Sequence, residues 1–128
     1  MPELRHDPIQ RRWVIISVER GKRPGDFQIP HEENRDGFCP FCYGNEDKTP
    51  PEIFAIRQNG SGRNEPGWDV RVVPNKYPAL MIEGDLEKKG GGVYDRMRGV
   101  GAHEVIVETP EHELVMADMP VDSLVRIL

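Results

Sequence analysis

The apolar and polar positions of this chain repeat over short distances, and the repeat favours strands over helices. Residues 11–17, RRWVIIS, set Trp13, Val14, Ile15 and Ile16 in a row of aromatic and branched side chains, which predicts a strand. Asp7-Pro8 before it reads as a turn. Residues 28–52 form a long irregular stretch, of a length usually pinned by something or functional. EIFAIR, residues 52–57, predicts a further strand, and NGSGRNEPG, residues 59–67, a flexible connection. WDVRVVP, residues 68–74, alternates, with Trp68, Val70 and Val72 on one face and Asp69, Arg71 and Val73 on the other. That period of two predicts a half-buried strand ending at Pro74. NKYPALMIEGD continues extended and breaks at Pro78. EKKGGGVYDRMRGVG, residues 87–101, reads as a mobile loop, and no phosphate-binding G-x-x-x-x-G-K-[ST] occurs in it. HEVIVET, residues 103–109, predicts a strand.

ADMPVDSLVRIL then opens a helix, with Asp118 as N-cap and Pro120 in the first turn, where its missing N–H costs nothing. Val121, Leu124, Val125 and Leu128 fall at i, i+3, i+4 and i+7, one apolar stripe, still unfinished at Leu128. The helix reads as cut in mid-course. Strands outnumber helices, and their connections are too short for helical crossovers. The expected class is α+β: a mainly antiparallel sheet with a covering helix, incomplete at the C-terminus. A length of 128 residues points to one domain, and 12 prolines with 13 glycines point to long shaped loops.

Charge adds a restriction. The net charge of −5 disfavours general nucleic-acid binding. It is unevenly spread: residues 1–23 carry Arg5, Arg11, Arg12, Arg20, Lys22 and Arg23 against three acids, while residues 104–122 carry six acids and no Lys or Arg. Such a cluster suits a small anion such as a nucleotide phosphate, or is a solvated rim. No stretch reaches the roughly 18 apolar residues of a membrane helix, and MPELRHDPIQ has no apolar signal-peptide core. Two cysteines are too few for a disulfide framework, which points to a reducing cytoplasm.

Those two cysteines, Cys39 and Cys42, stand in CPFC. Three readings compete. A redox dithiol needs its first cysteine at a helix N-terminus, and the following YGNEDKTPP starts a helix poorly. An inert surface pair is the second. The third is a zinc knuckle, with two of four tetrahedral ligands supplied here. The remaining ligands would come from His6, His31, His103 or His112. His6 and His31 lie in polar runs and read as surface, while His103 and His112 flank one strand at a spacing too wide for a paired ligand motif. At most one of the latter two is expected to bind.

The motifs DPIQRRWVII, ERGKRP, CPFCYGNE, TPPEI, VRVVPNKYPAL and GAHEVIVETPEH follow one another in that order. In this order they resemble the N-terminal part of the galactose-1-phosphate uridylyltransferase family, of the histidine-triad superfamily. The resemblance implies a histidine-triad-like fold and a two-step nucleotidyl exchange. A histidine takes UMP from UDP-glucose as a covalent uridylyl-histidine, and galactose-1-phosphate then accepts it. It implies zinc on Cys39, Cys42 and His112, with a fourth ligand and the His-Pro-His nucleophile expected beyond Leu128. His103 is left as a structural or supporting residue. Asn75, Lys76 and Tyr77 match a uridine- and ribose-binding stretch, and Phe41 and Tyr43 a base-lining one. For Tyr77 the plain alternative is core packing. Arg20 and Arg23 match arginines that reach the nucleotide-sugar phosphates of a neighbouring subunit, which implies a homodimer. No His-x-His occurs in this sequence, so the chain alone is expected to be catalytically inactive. A sister activity on ADP-sugars and a non-catalytic zinc- or nucleotide-binding module are the alternatives.

Overall fold

The computed structural model describes residues 1–18 and 37–128. Within them the backbone divides into two units, one of residues 1–18 and 77–103, the other of residues 37–76 and 104–128.

In the first unit, β1 (Glu3–Asp7), β2 (Arg12–Ile16), β5 (Lys89–Gly91) and β6 (Tyr94–Arg98) form an antiparallel sheet in the order β2-β1-β6-β5. The turn at Asp7-Pro8 is present. The Asp7 carboxylate accepts the backbone N–H of Ile9 at 2.9 Å and of Gln10 at 3.2 Å, the reason aspartate suits such a turn. β2 matches the predicted strand. β1 has no counterpart in the hydrophobic pattern, because ELRHD is nearly all polar; it exists by pairing with β2 on one side and β6 on the other.

Residues 87–101 correct the loop expectation. They form the β5–β6 hairpin, with Gly91 opposite Tyr94 and a two-residue turn at Gly92-Val93. Gly92 has φ of 65° and Val93 stays at negative φ, the requirement of a Gly-first hairpin turn. Glycines and charges hide a strand whose pairing rests on backbone alone. The NKYPALMIEGD stretch is likewise not a strand: beyond Pro74 it is irregular, touching a ladder only through a Met81–Val100 bridge.

In the second unit, β3 (Phe54–Arg57), β4 (Trp68–Pro74) and β7 (Glu104–Val107) form an antiparallel sheet in the order β3-β4-β7. All three were legible in the sequence. The antiparallel expectation holds, though the strands of the described residues fall into two sheets instead of one. The expected flexible connection at residues 59–67 is laced together. Arg57 Nε donates to Ser61 Oγ at 3.0 Å, and the Gly62 N–H to Glu65 Oε2 at 2.9 Å.

β4 is not half-buried. Trp68, Val70, Arg71 and Val73 are all buried, so residues of both parities face protein, while Val72 is only partly covered. Arg71, 1% exposed, can be buried because each of its three guanidinium nitrogens donates a hydrogen bond. Its Nε donates to Glu52 Oε2 at 3.0 Å, Nη1 to Thr49 Oγ1 at 2.7 Å and Nη2 to the Glu46 carbonyl at 3.2 Å. Arg57 grips the same Glu52 carboxylate with both amino groups, each at 2.8 Å. The Glu52 backbone N–H donates to Asn64 Oδ1 at 2.8 Å. Among the described residues no buried side-chain nitrogen or oxygen lacks a partner. In a low-dielectric interior only such complete satisfaction makes a charged cluster tolerable.

Burial by itself raises the Glu52 carboxyl, but the hydrogen bonds from Arg57 and Arg71 outweigh it and hold the pKa at about 2 against an ordinary 4.5. The folded pKa lies below the unfolded one. The network therefore stabilises fully above pH 4.5, and its contribution is lost as pH falls towards 2. At about 1.4 kcal/mol per pH unit this amounts to about 3 kcal/mol. Urea midpoints measured down this range are expected to fall steeply, and to fall less in Glu52→Gln. Equal slopes in both proteins would remove Glu52 as the cause.

The helix, α1 (Val121–Ile127), begins later than expected. Pro120 occupies the N-cap position, and Asp118 ends a separate 3-10 turn, Met116–Asp118, without capping anything. The predicted stripe is also not the covered side. Val121, Val125 and Leu128 are exposed, Leu124 is partly covered, and the neighbouring Ser123 and Ile127 share its side. A single ion pair, Arg126 Nη1 to Asp69 Oδ2 at 3.0 Å, ties the helix to β4. No helix among the described residues is long and apolar enough to cross a membrane.

Candidate metal centre

Cys39, Pro40, Phe41 and Cys42 make a tight turn, closed by the Cys42 N–H donating to the Cys39 carbonyl at 3.3 Å. Proline at its second position presets the backbone for such a turn. Asn45 continues it. Its N–H reaches the Cys42 carbonyl at 3.1 Å, and its side-chain Nδ2 reaches back to the Cys39 carbonyl at 2.7 Å. Gly44, with φ of 91°, lets the chain reverse between them in a conformation other residues rarely adopt. The turn presents both sulfurs on one side.

His112 comes from the loop after β7, seventy residues further on. The Thr109 hydroxyl accepts the Glu111 N–H at 3.1 Å and shapes this loop. His112 Nδ1 lies 3.1 Å from Cys42 Sγ, and one donor atom from each of Cys39, Cys42 and His112 falls within 4.8 Å of the others. Zinc–sulfur bonds of about 2.3 Å in a tetrahedron place sulfurs about 3.8 Å apart, a spacing inside the 4.8 Å within which these donor atoms lie. Two thiolates and an imidazole are the borderline-soft set that zinc prefers. When bound, zinc would cross-link the cysteine turn to the loop after β7.

The redox reading loses its structural condition. Neither cysteine opens an α-helix, since the turn leads into a single 3-10 turn at Glu46–Lys48. Burial and the neighbouring Cys39 push the Cys42 thiol up, the opposite of what an attacking thiolate needs. An inert pair does not account for the approach of His112: a surface dithiol has no reason to meet a histidine from a distant loop.

Among the described residues, the Cys-Cys-His group includes no second histidine. His103 Nδ1 accepts the Ala79 N–H at 2.8 Å, a structural role. His6 packs its ring against Trp13 at 5.1 Å. His31 lies outside the described residues, as do Arg20 and Arg23. Beside the cluster is a cavity of about 270 Å³, lined by Cys39, Phe41, Cys42, Val107, Thr109 and His112 among others. Phe41 thus borders it, while Tyr43 is exposed outside its lining. Asn75 is partly covered; Lys76 and Tyr77 are exposed just past the end of β4. At 46% exposure Tyr77 is not a core side chain. The residues that sequence reasoning missed are Glu46, Glu52, Asn64 and Arg71. The one visible signal was an arginine among valines in WDVRVVP.

No protein-family model matches the chain. Individual relatives do. ADP-glucose phosphorylase of Arabidopsis thaliana is 37% identical over 123 residues, 92% of this chain and 34% of that protein. Galactose-1-phosphate uridylyltransferase of Thermotoga maritima is 27% identical over 129 residues, 100% of this chain and 33% of that protein. The crystal structure of the Arabidopsis thaliana ADP-glucose phosphorylase with bound ADP-glucose matches 99% of this chain and 35% of its own, with a TM-score of 0.52 and 32% identity. The chain spans about a third of the length of the curated relatives it matches. With the ordered motifs and the meeting of Cys39, Cys42 and His112 in view, the chain is similar over nearly its whole length to about a third of proteins of the galactose-1-phosphate uridylyltransferase family.

Proposed function

We propose that this chain carries the metal knuckle and part of the nucleotide-sugar pocket of a nucleotidyltransferase. The observation behind this reading is the convergence of Cys39, Cys42 and His112 in a chain similar to this family. In the proposed reaction an imidazole nitrogen attacks the α-phosphorus of a nucleotide sugar. The bond from phosphorus to the bridging oxygen breaks, and a sugar phosphate leaves. An acceptor phosphate oxygen then displaces the imidazole and takes the nucleotidyl group. Two displacements replace one harder one. No His-x-His occurs in the sequence, so the reading assigns the nucleophile to residues outside these 128.

Within this chain, Cys39, Cys42 and His112 hold zinc. Phe41, Tyr43, Asn75, Lys76 and Tyr77 contact the nucleoside, and Arg20 and Arg23 reach phosphate across a homodimer. Guanidinium forks suit phosphate oxygens, which favours arginine over lysine at the last two. The family supplies two donors. Exchange of UMP between UDP-glucose and galactose-1-phosphate is one. Transfer from ADP-glucose is the other, and the higher identity to ADP-glucose phosphorylase, 37% against 27%, favours it.

Calorimetric titration of the zinc-loaded chain with each nucleotide sugar tests the reading. ADP-glucose is expected to bind, more tightly than UDP-glucose, and neither is expected to turn over with galactose-1-phosphate or inorganic phosphate. Absence of binding by both would overturn the pocket assignment. Turnover by the chain alone would overturn the assignment of the nucleophile.

A further inference from the structure

Glu46 is a buried carboxylate, 5% exposed, that the proposed reaction does not use. It lies four residues after Cys42, and its Oε1 accepts two donors from opposite directions. The Trp68 indole Nε1 reaches it at 2.9 Å from β4, and the Gly44 N–H at 3.3 Å from the cysteine turn. The Glu46 carbonyl is held as well, by Arg71 Nη2 at 3.2 Å and by Thr49 Oγ1 at 3.2 Å. Asn45, next to it, clamps the Cys39 carbonyl at 2.7 Å. The backbone that follows Cys42 is thus fixed at both ends: to the first cysteine through Asn45, and to the central strand through Glu46.

Loops that carry thiolate ligands commonly order only when the ion arrives, and that ordering draws on the binding free energy. Here protein groups also hold the backbone of the turn. We infer that Asn45 and Glu46 are positioning residues for the metal centre, holding the Cys39–Cys42 turn at ligand spacing. The inference rests on the zinc reading of Cys39, Cys42 and His112. It assigns no contact with the ion to either residue. Supporting groups of this kind commonly change metal affinity by about tenfold to a hundredfold when removed.

The test is a cobalt(II) titration of the chain, followed by thiolate charge-transfer and ligand-field absorption, for the parent and four variants. Glu46→Ala and Asn45→Ala are expected to weaken cobalt binding about tenfold to a hundredfold. Their saturated spectra should keep the parental band positions, because the ligands are unchanged. Glu46→Gln keeps an oxygen that accepts the same two bonds and is expected to stay close to the parent. Arg57→Ala, which loosens the same unit through Glu52 without touching the turn, is expected to lower the urea midpoint and leave cobalt affinity alone. Parental affinity in both alanine variants would overturn the inference. So would an equal loss in Arg57→Ala, which would trace the effect to general destabilisation. If Glu46→Ala does not fold, Asn45→Ala, which removes one partly covered bond, decides by itself. A parent chain that gives no cobalt absorption overturns the metal reading itself, a separate result.

Discussion

Glu52→Ala is expected to destabilise the second unit by about 3–5 kcal/mol, the usual cost of breaking a buried charge pair from one side. The change deletes the carboxylate that Arg71 and Arg57 share. Arg71 then keeps its charge at 1% exposure with only Thr49 Oγ1, the Glu46 carbonyl and Asn64 Oδ1 to face. A guanidinium does not escape by losing its proton, so the uncompensated charge remains. That penalty takes up a large part of a small protein's total stability. Removing both charged partners is expected to be milder. Glu52→Leu combined with Arg71→Met replaces the central pair with apolar volume and should recover part of the loss. Urea unfolding followed by the fluorescence of Trp68, buried in this unit, reads the effect; Trp13 reports the other unit. A loss under about 1 kcal/mol in Glu52→Ala would put the network in the class of exposed ion pairs and refute its structural weight.

Cys42→Ser is expected to abolish stoichiometric zinc binding. Elemental analysis of the parent chain, prepared with zinc present, should give about one ion per chain, and the variant should give essentially none. The reasoning is geometric. Cys42 Sγ lies 3.1 Å from His112 Nδ1, and Cys42 closes the turn that presents Cys39. Structural zinc sites of this type commonly bind with about 10–16 kcal/mol, most of it from thiolate and imidazole bonds, so two donors do not sustain a site that three begin. His112→Ala should behave the same way. Retained zinc in Cys42→Ser would show that the ion sits elsewhere and would dissolve the cluster as a site.

Much of this was legible in the chain, and for identifiable reasons. The strands at residues 12–16, 54–57, 68–74 and 104–107 announced themselves because branched and aromatic side chains pack on a pleated surface. The strands at residues 3–7 and 89–98 did not. They are held by backbone pairing, and ELRHD and KGGGVYDRMR carry almost no apolar side chains to record it. The helix was legible as a helix, but its cap was not: Asp118 has the right chemistry and the wrong place, one 3-10 turn too early. The apolar stripe was read correctly from spacing and wrongly as the covered side, because spacing fixes which residues align and not what lies against them.

The candidate metal centre divides along the same line. The sequence by itself determined the cysteine turn, because Cys-Pro-Phe-Cys followed by Tyr-Gly sets local backbone and donor chemistry within six residues. The resemblance carried by its ordered motifs singled out His112, between which and His103 the residues alone left the choice open. Only the tertiary structure decided that His112 Nδ1 arrives at Cys42, since that meeting depends on how a loop seventy residues away returns past β7. Only the tertiary structure revealed Arg71, Glu52 and Glu46 as one buried hydrogen-bonded network. Their roles come from burial and from partners far along the chain, and a charged residue in a sequence carries no mark of whether water or protein will surround it.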